Sequence, residues 1–128
     1  MKLSEYFDQA KGRGVMSTAD SSGNLTAAVY ARPHFIDEEH VAFIMADRLT
    51  HKNIESNPHA VYLFMEGGEK YVGKRLYLTK TKEEKDSALI EKIRRRETCP
   101  VDEGYKEGTR FLITFKIDKV LPLIGDKE

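Results

Sequence analysis

VAFIMADRLTHKNIESNPHAVYLF, residues 41–64, decides how this chain is read. Val41–Ala46 is an unbroken apolar run, short enough to be a strand covered on both faces. Ala60–Met65 is a second such run. The polar stretch between them leaves room for a turn and one short helix, ended by Asn57-Pro58. Arg48, Thr50, His51, Lys52 and Asn53 crowd the entry to that helix. Two readings are open. Thr50 caps a surface helix whose charges are merely solvated, or the free amides, the helix dipole and the nearby cations together hold an anionic group such as a phosphate.

Working outward, Leu3, Tyr6, Phe7 and Ala10 follow the i, i+3, i+4, i+7 spacing of one helix stripe, with Ser4 as N-cap and Gly12 and Gly14 ending it. Val15–Ala19 reads as a strand and Asp20–Asn24, DSSGN, as a turn. Leu25–Arg32 alternates, placing Leu25, Ala27, Val29 and Ala31 on one face, and Pro33 ends it. That strand could lie beside Val41–Ala46, which would let Arg32 add a bidentate contact to the same anion. On the other side, Gly67-Gly68 implies a hairpin into Tyr71–Thr79. Thr81 and Glu84 match a capping box, predicting a helix through Arg96 with Leu89, Ile90 and Ile93 inside. Glu97–Thr109 is polar, with Pro100, Gly104 and Gly108, and reads as a loop; Phe111, Ile113, Phe115 and Ile117 then alternate in a last strand. Closely spaced strands argue for antiparallel pairing, and a strand-rich chain of this size removes its edges by curling into a barrel. The expectation is one mostly β domain over residues 1–128, a six-stranded antiparallel barrel with peripheral helices.

Composition narrows the functional classes. Of 128 residues, 40% are apolar and 33% charged, as in ordinary soluble domains. Lys plus Arg and Asp plus Glu both number 21, and zero net charge disfavours nucleic acid as a partner. A single cysteine, Cys99, forms no intrachain disulfide, which suits a reducing cytoplasm. No apolar run approaches the roughly 20 residues that span a bilayer, and MKLSEYFDQA lacks a signal core. A soluble cytoplasmic protein without membrane contact is expected.

The remaining reactive residues offer less. His34, His40, His51 and His59 show no ligand-like spacing, and no metal is expected. Cys99 has no activating partner in sequence, and the run Arg94–Arg96, flanked by acids, suits a solvated helix end. Tyr71, Tyr77 and Tyr105 could stack on an aromatic cofactor or pack at a barrel rim. There is no nucleophile elbow, P-loop or dinucleotide glycine fingerprint.

Taken in order, GVMSTADSSGNLTAAVYARPHF, VAFIMADRLTHKNIESNPHAVYLF and KYVGKRLYLT resemble the pyridoxamine 5′-phosphate oxidase-like family of FMN-binding split barrels. The resemblance covers Gly14–Thr79, with Phe111–Pro122 in the place of the closing strand, and NPHAVYLF is its most specific part. It implies a split β-barrel, a homodimer with FMN at the subunit interface, and flavin-dependent oxidoreductase activity toward a small-molecule redox partner. It also implies a cofactor-binding set of Tyr30, Arg32, Met45, Ala46, Arg48, Thr50, Lys52 and Asn53. Arg32 matches the strand arginine near the flavin phosphate, and Met45 and Ala46 match the strand end along the isoalloxazine ring. Many members carry a lysine where this chain has Thr50; its basic residues stand instead at Arg48 and Lys52, either of which could meet the phosphate. The C-terminal VLPLIGDKE lacks the basic substrate segment of true pyridoxamine phosphate oxidases, so B6 oxidation is not expected. Relatives in the family that bind F420 or haem keep those cofactors as alternatives, beside a flavin carrier without turnover and a cofactor-free dimeric module.

Overall fold

The computed structural model describes residues 1–86, 88–96 and 109–126, with side chains for all of these but 94–96. Cys99, Pro100, Tyr105 and the Arg94–Arg96 side chains lie outside the described residues. In chain order the elements are α1 (Leu3–Gln9), β1 (Gly12–Ala19), β2 (Leu25–Tyr30), β3 (His34–Phe35), β4 (His40–Ala46), α2 (Leu49–Ser56), β5 (His59–Glu66), β6 (Gly73–Lys85), α3 (Ala88–Arg96) and β7 (Arg110–Pro122).

All the strands among the described residues join one antiparallel sheet of seven, in the order β2-β1-β5-β6-β7-β4-β3. The strand beyond the expected six is β3, whose two residues pair with Ala42 and Val41; a strand so short carries no periodicity to read. The sheet ends at β2 and β3 and does not close on itself. Nor does β2 lie beside β4, the arrangement that would have let Arg32 join the anion; it pairs with β1 alone, while β4 is held between β7 and β3.

One face of the sheet carries the main core, including Met16, Val41, Phe43, Met45, Tyr62, Phe64, Leu76, Leu78, Ile113 and Phe115. Phe7 of α1 and Ile54 of α2 complete it. On the other face, Ala42 of β4 and Leu112 of β7 are covered by Ile90 and Ile93 of α3. β4 is therefore buried on both sides, which is why its sequence is apolar without alternation. A Cβ on Gly14 would fall 1.9 Å from the Tyr62 hydroxyl, so the bare backbone there makes room for a fully buried ring. Tyr62 in turn donates to the Ala31 carbonyl at 3.0 Å, tying β5 to the end of β2.

The expected helix from Thr81 begins later. Residues 82–85 continue β6, opposite Thr114, Ile113, Leu112 and Phe111. The Thr81 hydroxyl donates to the Thr114 carbonyl instead of capping a helix. Asp86, at φ +47°, turns the chain out of the strand, and the Asp86 amide donates to the Arg110 carbonyl at 2.7 Å. Thr-x-x-Glu is satisfied equally by a strand whose partner supplies the hydrogen bonds, and β7 supplies them. The expected inner stripe of Leu89, Ile90 and Ile93 holds in the shorter α3. At the N-terminus Lys2, not Ser4, caps α1, and Gly12 and Gly14 belong to β1.

Candidate functional site

The first turn of α2 is the centre of the expected site. Arg48 is its N-cap in extended conformation, and no side chain caps the helix. Thr50 is thus the second helical residue and not the cap, and it is buried. The first-turn amides have no acceptor within the helix, and no acidic residue occupies that turn itself; the nearest carboxylate, of Asp47, belongs to the turn before it. Arg48 and Lys52 are exposed at this end.

Tyr30, the last residue of β2, reaches the same turn. Burial pushes its phenol up to about 12, while a hydrogen bond with Thr50 and the Arg48 guanidinium pull the other way. Tyr30, Thr50 and Arg48 are therefore one local group, formed from the end of a strand and the start of a helix. Met45 is fully buried in the core and Ala46 half-buried just before the turn, so the strand end presents its backbone where Met45 cannot present its side chain. Asn53 is buried and donates to the Thr18 hydroxyl at 3.1 Å, locking α2 to β1. Arg32 has a different task from the expected one: its Nη1 donates to the carbonyls of Phe7 at 2.8 Å and Ala10 at 3.1 Å, at the end of α1. Of the eight expected residues, Tyr30, Arg48 and Thr50 meet, Lys52 lies one turn on, and Arg32 and Asn53 hold neighbouring elements.

In sequence His51 is one of the polar residues crowding the helix entry, expected to be at the surface or hydrogen-bonded; the structure buries it and gives it a hydrogen bond. It is 3% exposed, stacked on Phe111 with ring centroids 3.7 Å apart and planes 10° from parallel. Its Nε2 lies 3.0 Å from Glu83 Oε1. Burial works to raise the Glu83 carboxyl, but hydrogen bonds from Lys80 and His51 outweigh it and hold the group below its ordinary range. Phe111 and Glu83 come from β7 and β6, far along the chain, and reading Glu83 as a helix residue hid the pairing. His59 and Asp118 flank the Thr79 hydroxyl on the outer side of the sheet, and His40 pairs with Asp37. Among the described residues no group of three or more His, Cys, Asp or Glu side chains is disposed to hold a metal ion.

The donor set suits a phosphate ester: open helix amides, a guanidinium, an ammonium, and a hydroxyl pair with its phenol kept protonated. No helix among the described residues is long and apolar enough to cross a membrane.

No protein-family model matches the sequence, and no curated protein matches it. Solved structures do match the fold. An FMN-binding protein from Syntrophomonas wolfei superposes with a TM-score of 0.78 at 16% identity, over 98% of this chain and 86% of the other. An F420 reductase gives 0.72 at 16% identity, over 91% and 94%. HutZ, the heme storage protein of Vibrio cholerae, gives 0.69 at 14% identity, over 93% and 90%. The chain shares the split-barrel fold of these proteins, the architecture that the resemblance implied.

Proposed function

We propose that this chain binds FMN through the N-terminal turn of α2 and works as a flavin-dependent oxidoreductase. The observation that carries the proposal is the convergence of Tyr30, Thr50 and Arg48 on an uncapped helix start. The likeness to an FMN-binding split barrel adds support at the level of fold. Arg48 and Lys52 would neutralise the phosphate, and Thr50 with the first-turn amides would donate to its oxygens. Tyr30, whose phenol stays protonated well beyond neutrality, would hold its position at the site's wall. Bound flavin supplies the hydride and electron chemistry, while the protein anchors, orients and shields it. No side chain of the site is then needed as an acid or base.

The active form is proposed to be a homodimer. Leu25 and Val29, at 82% and 71% exposed, stand on the outer face of the edge strand β2 with Ala27 between them. An apolar row of this kind on an edge strand suits burial against a second copy.

Visible absorbance of purified protein, before and after adding FMN and passage through gel filtration, tests the assignment. Flavin bands co-eluting at one FMN per chain support it. A protein that retains no FMN refutes it, and the Arg48–Asn53 cluster then reverts to a solvated helix start.

A further inference from the structure

His51 has a vacancy in its hydrogen bonding that the proposed flavin site does not use. Nε2 is occupied by Glu83, but Nδ1, buried with the rest of the ring, has no hydrogen-bond partner among the described residues. The atoms nearest to it in charge are carboxylate oxygens: Asp47 Oδ1 at 3.7 Å, from the turn before α2, and Glu55 Oε1 at 3.5 Å, one turn along α2. Glu83, with Lys80 bonded to it at 2.8 Å, faces the ring from β6, and Phe111 of β7 covers its flat side. With Nε2–H donating to Glu83, neutral Nδ1 offers a lone pair to two further electron-rich groups. That arrangement is mismatched, and adding one proton corrects it. Nδ1 becomes a donor, and Asp47 and Glu55, whose side chains are largely in solvent, need move by less than an ångström to accept it.

We infer that His51 is a positioning residue that couples proton uptake to anion binding at the first turn of α2. This rests on the proposed phosphate site. His51 directly follows Thr50, so the charge it gains lies within the same helical turn as the amides that would hold the phosphate. An added positive charge there raises affinity for a phosphate dianion, and by linkage a bound dianion favours the protonated ring. A proton taken up at Nδ1 strengthens binding, whereas protonation of the phosphate itself weakens it. The second effect is the same in every variant, so the ratio of affinities between variants isolates the first.

The test measures dissociation constants for FMN, for riboflavin as the phosphate-free control and for inorganic phosphate, in wild-type protein and His51→Gln, between about pH 5 and pH 8. Amide chemical shifts of residues 48–52 report binding independently of colour. The expected result is an FMN affinity ratio of wild type to H51Q that grows about three- to tenfold from the alkaline to the acid end, with a flat ratio for riboflavin. Glu83→Gln is a second variant should H51Q fail to fold. It removes the anionic partner on Nε2 but leaves the ring and Nδ1 in place, and it is expected to move the pH profile while FMN still binds. FMN binding with a ratio independent of pH in both variants overturns the inference and leaves the flavin reading standing. If FMN binds but phosphate leaves residues 48–52 unmoved, the anion site is misplaced and the coupling falls with it. If neither FMN nor phosphate binds, the flavin reading itself fails.

Discussion

Arg48 and Arg32 are both arginines near the start of the proposed site, and their surroundings separate their roles. Arg48 is exposed at an uncapped helix start, so Arg48→Ala is expected to weaken FMN binding by about 1.5–3 kcal/mol, the worth of a charge-assisted hydrogen bond. Riboflavin titrated in parallel should show no such loss. Arg32 is engaged with the Phe7 and Ala10 carbonyls, so Arg32→Ala should instead loosen α1. A loss of about 1–3 kcal/mol in urea unfolding is expected, with faster proteolysis before residue 12. Tyr30 provides a pH signature. Its phenol titrates near 10 when unfolded and about 12 in the folded chain, so the native state disfavours the tyrosinate. Its stabilising contribution is complete below pH 10 and is lost as pH rises toward 12, up to about 2–3 kcal/mol. Tyr6, raised by burial and by its bond to Glu66, acts in the same direction. Alkaline denaturation of Tyr30→Phe should accordingly begin at higher pH than in wild type.

Among the elements, α3 offers the cleanest measurement. Ile90 is 3% exposed and closes the outer face of β4 and β7 with Ile93. Ile90→Ala is expected to cost about 2–4 kcal/mol in urea unfolding with an unchanged denaturant slope, since the cavity it leaves is walled by strands that cannot collapse into it. The same elements show what local sequence can carry. β4 was legible because burial on both faces leaves a run with no polar interruption. The β5–β6 turn was legible too, since Gly68 adopts φ +109°, which favours glycine. The end of β6 was not, because KTKEEK suits a helix by propensity and becomes strand only through its ladder with residues 111–114. For the site, the crowding of Arg48, Thr50 and Lys52 was visible as a pattern. The diversion of Arg32 to α1 was not, because the carbonyls that hold it belong to residues some two dozen positions earlier. The burial of His51, named in sequence only as part of that cluster, was hidden for a related reason: its stacking partner lies on β7.

For the whole molecule, the outer face of β2 decides the assembly. Leu25→Asp with Val29→Asp should leave the fold intact, as both side chains project away from the core, yet shift gel-filtration and light-scattering mass from two copies to one. A wild-type mass of one chain would dispose of the proposed dimer, and unchanged mass in the variant would place its contact elsewhere. The strand order carries a consequence for the chain during its synthesis. β4, apolar on both faces, has only the two residues of β3 as a neighbour until β7 exists, and Val41 waits for Phe115. At a synthesis rate of roughly 5–20 residues per second, the most adhesive segment of the chain spends several seconds outside the ribosome before its permanent companion is made. Survival of that interval, more than the strength of the finished barrel, would then set the yield of native protein, and a holding chaperone that shelters residues 40–46 would raise it.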